Sequence, residues 1–307
     1  MAWGSQLPNS SDATVVESVY RELELGDTSR MVANLTLPKE GSRQTSITWK
    51  TSDPNVISAT GEVKRPAIGE KATSTTLTAT ITKGGSNKHK IFNITVSPYE
   101  TATLTAQYPF ENDLKAHKVV FANGVVIGDR IDRDGGAVTY TEGGSGKAVL
   151  LDGKSGIQLP QGMISGPAYS VSLWVPPHEL TLYTPTFFGA MDNNHWISLL
   201  PKGPEGENTM LWSGGSPRYN GSTGMKIKAN EWTHLAFTVD NGVLSVYVNG
   251  KLQLTGAGFP NIFTSKAGTF SLGVNWWDPV FKGAIDELNI FEGELPPSQL
   301  AELAKIK

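Results

Sequence analysis

The chain of 307 residues is predicted to be all-β, folded as two sandwich domains in series. Three observations lead there. Apolar and polar residues alternate along Trp232–Asp240, Leu244–Lys251 and Phe281–Phe291, which is the period of a half-buried strand. Asn249-Gly250 supplies the two positive φ angles that a two-residue hairpin turn requires. The 33 Gly and 18 Pro spread along the length imply many turns, hence many short strands.

Taken in order, residues 1–11 read as a flexible leader without the basic and apolar regions of a signal peptide. Asp12 to Leu25 carries Val15, Val16, Val19 and Leu23 at helical spacing, with Ser11 or Asp12 as cap and Gly26 as terminator. Short strands are predicted at Val32–Leu37, Thr45–Thr51, Val56–Ser58, Gly61–Lys64, Thr75–Thr82 and Lys90–Val96, the last two joined by a Lys83–Asn87 hairpin. Trp49 alternates inward and reads as core, and Asp53-Pro54-Asn55 as a turn. Residues 12–97 thus form the first domain. Residues 98–101 are a short linker stiffened by Pro98, for which a fixed interdomain angle is expected.

The second domain, residues 102–307, opens with Ala102–Phe110 and a long polar, Gly-rich run to Lys147. Strands follow at Ala148–Gly153, Gly156–Pro160, Tyr169–Val175, Phe187–Ala190, Trp196–Leu200 and Thr209–Trp212, then at Trp232–Val239, Val243–Val248, Lys251–Leu254, Thr269–Val274 and Gly283–Phe291. Pro296-Pro297-Ser298 starts a terminal helix, Gln299–Ile306, with Leu300 and Leu303 inward. Two antiparallel sheets packed face to face would bury these alternating faces.

The totals exclude several function classes. With 38% hydrophobic and 18% charged residues and a net charge of −3, nothing favours nucleic acid or an anionic membrane. The absence of cysteine rules out disulfides, thiolate metal sites and a cysteine nucleophile. No apolar run approaches the ~18 residues of a membrane span. A monomer is expected.

Two resemblances sharpen this. The runs N-L-T-L-P, I-T-W-K-T-S-D-P-N-V-I, G-E-V-K-R-P and L-T-A-T-I-T-K-G-G resemble bacterial immunoglobulin-like modules found beside glycoside hydrolase domains. W-T-H-L-A, Y-V-N-G-K and G-A-I-D-E-L-N-I-F resemble the concanavalin A-like, laminin-G-like jelly rolls of secreted carbohydrate-active proteins. The pair resembles the C-terminal part of arabinan- or arabinoxylan-degrading enzymes. That implies a spacer domain followed by a jelly roll, as an excised piece of a longer secreted, extracellular glycoside hydrolase.

Catalysis within the fragment is not expected. Jelly-roll glucanases need carboxylates spaced Glu-x-Asp-x-Glu on one strand face, with acid and nucleophile roughly 5–5.5 Å apart for retention. The chain lacks that pattern, and none of its five His residues sits in a recognisable triad frame. Zinc is disfavoured because no His or Cys cluster exists. The laminin-G-like resemblance implies a structural calcium held by Glu111, Asp152 and Asp286, although Glu111 stands where an Asp is more usual. The alternative is that Asp152-Gly153 is simply a turn and that Asp286 hydrogen-bonds a loop.

Sugar binding is the remaining chemistry. A sugar ring presents C–H faces that pack on aromatic rings, and its hydroxyls need planar polar partners. Of the 8 Trp, Trp3 is in the leader, and Trp49, Trp174 and Trp232 alternate within strands as core. Trp196, Trp212, Trp276 and Trp277 fall at strand ends beside polar loops. Asp192-Asn193-Asn194-His195 precedes Trp196, Asn275 and Asp278 flank the Trp276-Trp277 pair, and Arg218 and Tyr219 can join either loop. A strand would send Trp276 and Trp277 to opposite faces, and only a loop exposes both. The expected ligand is plant cell-wall polysaccharide, arabinan by resemblance, bound weakly on a shallow surface. The alternative is an accessory tandem that packs on and stabilises its own catalytic domain without binding sugar.

Overall fold

The computed structural model describes residues 11–117 and 121–305. The leader residues 1–10, with Trp3, and Ile306 at the end of the expected terminal helix lie outside them. The chain divides into two compact units, Met1–Tyr99 and Glu100–Lys307.

The first unit opens with α1 (Asp12–Glu22), capped by the Ser11 hydroxyl accepting from the Thr14 N–H at 3.3 Å. Its buried stripe is Val15, Val16 and Val19. The helix stops short of Leu25, because Leu23 turns to an extended backbone and its carbonyl accepts from Lys90 Nζ. Strands β1 (Glu40–Gly41), β2 (Thr45–Thr51), β3 (Thr73–Lys83) and β4 (Ser86–Val96) form one antiparallel sheet in that order. The β3–β4 hairpin is tighter than the expected five-residue loop, since Lys83 pairs with Ser86 across Gly84-Gly85. Leu77, Ala79 and Ile81 are fully buried, and Trp49 is half-buried against Phe92 with its indole N–H donating to Pro38 O at 2.8 Å.

The layer facing this sheet is not built of strands. Val32–Leu37, expected as one, is irregular: Met31 makes a single parallel bridge to Val96, and the Val63 N–H is taken by the Asn34 side chain. The expected strands Val56–Ser58 and Gly61–Lys64 meet in one bridge, Ile57 to Val63. A core of Met31, Val56, Ile57, Leu77, Ile94 and Val96 nonetheless fills the space.

The second unit runs β5 (Thr103–Tyr108), β6 (Val125–Ile127), β7 (Thr139–Glu142), β8 (Lys147–Asp152), β9 (Gly156–Leu159), β10 (Ala168–Val175), β11 (Phe187–Ala190) and β12 (Trp196–Leu200). It continues with β13 (Met210–Ser213), β14 (Tyr219–Ser222), β15 (Thr233–Asp240), β16 (Val243–Val248), β17 (Lys251–Ala257), β18 (Thr269–Leu272), β19 (Lys282–Glu292) and α2 (Pro297–Leu303). One sheet has the order β17-β16-β15-β10-β19-β8-β7, with β5 also pairing β19; the other has the order β14-β13-β12-β11-β18-β9-β6. First and last strands therefore run side by side. Strands β6, β7 and β14 lie in stretches that read as polar loops.

Between the sheets, Tyr169, Val171, Leu173 and Phe237 meet Phe187, Ile197, Leu199, Leu211 and Phe270 in a fully buried core. The outer face of the first sheet is covered by the C-terminal segment, where Leu295 and Leu300 bury Ala236 and Tyr247 and the Trp174 indole N–H donates to Leu303 O at 3.2 Å. Trp232 is half-buried just ahead of β15. The outer face of the second sheet carries a separate apolar cluster of Ile131, Phe188, Ala190, Trp196 and Val274, and this cluster is the floor of the candidate site.

Candidate functional site

Strand alternation sets the floor. On β12, Ile197 and Leu199 enter the core, so Trp196 faces the other way; on β13, Leu211 is core and Trp212 faces out. The two indoles meet edge to face, with centroids 5.1 Å apart at 85°.

The loop after β18 supplies the wall. Asn275 is buried, and its Oδ1 accepts the N–H groups of Trp277 (3.0 Å) and Asp278 (2.7 Å) while its Nδ2 donates to Asp278 Oδ2 (2.7 Å). This side-chain-stabilised turn takes Trp276 and Trp277 out of strand alternation. Their rings lie 5.6 Å apart; Trp277 is 5.8 Å from Trp196, and Trp276 is 5.4 Å from Phe188. Trp277 is the most open of the four indoles, at 39% exposure.

Two further segments close the rim. Ile131 is buried and donates its N–H to Asn275 O at 3.2 Å, and the next residue, Asp132, takes a left-handed backbone (φ 66°) and accepts from the Trp276 indole N–H at 3.3 Å. Tyr183, also left-handed (φ 68°), packs 5.8 Å from Trp212, and Arg218 holds its guanidinium 6.0 Å from the Trp212 ring centre. Asn193 and Asp278 complete a depression of about 890 Å³. Burial pushes the Asp278 carboxyl upward, opposed by its hydrogen bond from Asn275. Flat apolar rings beneath a rim of carboxylate, amide and guanidinium groups suit a ligand with apolar faces and many hydroxyls.

Of the residues singled out in the sequence, Trp196, Trp212, Trp276, Trp277, Asn193, Arg218 and Asp278 converge here. Asn275 braces the site from below. Asp192 does not line it: its carboxylate turns back onto the N–H groups of Asn194 and His195 and the His195 ring, which hold it below the usual carboxylate range. Tyr219 also stands apart, with its ring 5.4 Å from Phe259 on the core side of β14. Asp132 and Tyr183 were not legible, since Asp132 meets Trp276 across 144 residues of sequence.

The three carboxylates proposed for calcium separate. Glu111 and Asp286 converge on the Gly143–Lys147 turn: the Lys147 N–H donates to Glu111 Oε2 at 3.1 Å, and the Ser145 N–H to Asp286 Oδ2 at 3.1 Å. Asp286 is fully buried, its Oδ1 has no partner, and burial pushes its carboxyl up to about 7. Asp152 sits further along the β8–β19 ladder, opposite Lys282, with Oδ1 accepting from the Lys154 N–H. Among the described residues no group of three or more His, Cys, Asp or Glu is placed to hold a metal. An orphaned buried carboxylate oxygen beside a second carboxylate does fit a hard cation completed by main-chain carbonyls.

Comparison with known proteins places this architecture. Residues 13–99 match the atrophied bacterial Ig domain, and residues 151–301 match the concanavalin A-like lectin/glucanases superfamily. No curated protein sequence matches the chain. Among solved structures, domain 4 of AbnA, a GH43 extracellular arabinanase from Geobacillus stearothermophilus, in complex with arabinotriose, is 56% identical. That match covers 66% of this chain and 99% of the other, with a TM-score of 0.65. The binding domain of Paraclostridial Mosquitocidal Protein 1 is 17% identical, covering 66% of this chain and 52% of that one at a TM-score of 0.47. The binding domain of botulinum neurotoxin serotype D is 16% identical, covering 66% and 50% at 0.45. The chain is thus an atrophied bacterial immunoglobulin-like domain followed by a concanavalin A-like, laminin-G-like domain, and it belongs to the family of that arabinanase domain.

Proposed function

We propose that this chain is a non-catalytic carbohydrate-binding fragment of a secreted glycoside hydrolase, and that it holds the catalytic domain on plant cell-wall polysaccharide, with arabinan as ligand. The observation that carries this reading is the depression on the second sheet, where four indoles lie under the polar groups of Asp132, Asn193, Arg218 and Asp278. A tandem that only packed on a neighbouring domain would need an apolar patch, not converging hydroxyl partners. The arabinotriose bound to the 56% identical domain supports arabinan over other glycans, and the extracellular arabinanase it comes from supports secretion. A structural calcium between Glu111 and Asp286 belongs to the same reading; it would neutralise the buried Asp286 carboxylate and tie β19 to the Gly143–Lys147 turn.

Affinity electrophoresis against arabinan, xylan, mannan, β-glucan and levan tests it. Retardation by arabinan alone, lost in the folded Trp276→Ala/Trp277→Ala double variant, is the expected result. Retardation by none of the glycans, or undiminished retardation of the double variant, sinks it. Reducing-sugar release from the same panel is expected to stay flat.

A further inference from the structure

The second sheet carries another depression on the same outer face. Cross-strand partners trace one rung over that face: Val125, Gln158, Ser271, Phe188, Ser198 and Trp212 stand opposite one another in turn. Trp212 lies at the end of the rung inside the indole site. At the other end, Val125 and Gln158 line a hollow of about 650 Å³ with Thr269, Asp134 and Arg133. Four strand spacings of ~4.8 Å separate Gln158 from Trp212, roughly 19 Å.

A single residue divides the two hollows, because Asp132 lines both. The segment that carries it is a fixed ridge. The Gly128 N–H donates to Arg133 O at 2.7 Å, Arg133 Nη1 donates to Asp129 Oδ1 at 3.1 Å, and Ile131 is buried beneath. The second hollow has no aromatic ring in its lining. It offers hydroxyl partners instead. Gln158 Nε2 is committed to Thr269 Oγ1 (2.9 Å) and Phe270 O (2.8 Å), which fixes the amide and leaves Oε1 as an acceptor. Val125 is 60% exposed, an apolar surface for a C–H face.

We propose that this hollow is an extension subsite: a polysaccharide anchored over the tryptophans crosses Asp132, and a sugar several units along the same chain sits against Gln158, Asp134 and Val125. The proposal rests on the indole site being a glycan site. It makes the surface a reader of internal stretches of polymer, since one binding event engages two separated points on a chain.

Titration calorimetry of the whole chain with arabinotriose and with linear arabino-octaose tests it. Three sugars fill the indole site alone, and eight reach both hollows. The wild type is expected to bind the octaose about tenfold more tightly than the triose. The Gln158→Ala/Asp134→Ala variant should keep its triose affinity, which also shows that it folds, and lose most of the gain. The several registers of a long chain on one site favour the octaose statistically, but that factor is the same in both proteins, so the difference between them reports the subsite. Triose binding without a gain, or a gain that survives in the variant, overturns the subsite alone. Failure of both sugars to bind the wild type overturns the indole site and the subsite with it.

Discussion

Trp196 and Trp277 touch each other and do opposite jobs. Trp196 is 4% exposed, part of an apolar cluster with Phe188 and Val274, and meets Trp212 edge to face. Trp277 packs on it from the loop and keeps 39% of its surface open. Truncating the first removes a floor; truncating the second removes a platform. Trp196→Ala is therefore expected to cost about 3–5 kcal/mol of stability, the range for large buried aromatics. Trp277→Ala should leave the unfolding free energy within about 0.5 kcal/mol of wild type, because an open side chain leaves no cavity. It should weaken arabinan binding roughly tenfold, about 1.4 kcal/mol of stacking. Urea titration and calorimetry on the two variants separate these effects, and a Trp277→Ala protein with full affinity would remove that ring from the site. Asn275 explains why a pair of adjacent indoles can share one side: three hydrogen bonds from one buried amide hold the turn that displays them.

At the scale of elements, the face of the first sheet beneath α2 holds an unusual polar layer. Ser172 Oγ, Thr238 Oγ1 and both His234 ring nitrogens are buried without hydrogen-bond partners, and the His234 ring lies 5.3 Å from that of Trp174. Burial drives the His234 pKa down to about 4. An unfolded imidazole takes its proton near 6.5, so between that value and about 4 the unfolded chain binds a proton that the folded one refuses. Stability from this group is full above pH 6.5 and falls as pH drops through the window, by on the order of 3 kcal/mol in total. The urea midpoint of wild type should fall between pH 7.5 and 4.5 by more than that of His234→Leu; parallel curves would show that His234 is not the cause. Legibility follows the same logic of burial. β2, β11, β12 and β16 have the predicted ends, because large apolar residues mark each of them. Val32–Leu37 alternates too, yet its Leu35 N–H meets the isolated Gly61 carbonyl and its Asn34 side chain accepts the Val63 N–H in place of a strand partner. Conversely, β6, β7 and β14 are short edge strands in polar, Gly-rich stretches; β6 is made a strand by β9, beyond the intervening β7–β8 hairpin, and β7 and β14 by hairpin pairing with β8 and β13. The indole site was half legible for the same reason: its rings are visible as Trp, but Asp132 and Tyr183 arrive through non-local packing.

At the scale of the whole molecule, each unit closes its own core, one around Met31, Ile57 and Leu77, the other around the facing sheets of the jelly roll. The calcium expectation belongs wholly to the second unit. Millimolar calcium should raise its thermal midpoint by a few degrees, as mass action on the folded state requires. Asp286→Asn, which removes the orphaned buried carboxylate, should be no less stable than wild type in chelator and unresponsive to calcium. A midpoint indifferent to calcium in the wild type would end that assignment and leave Asp286 as a buried carboxyl held by the Ser145 N–H. The indole depression and the second hollow are likewise made only of residues beyond Glu100. The arabinanase domain of known structure matches two thirds of this chain and is itself one domain. Residues 100–307 alone should therefore fold and bind arabinan with the dissociation constant of the full chain, within about twofold, and residues 11–99 alone should not bind. Equal affinity makes the immunoglobulin-like unit a spacer in energetic terms, whereas an affinity lost on its removal would mean that the sugar site draws on both units.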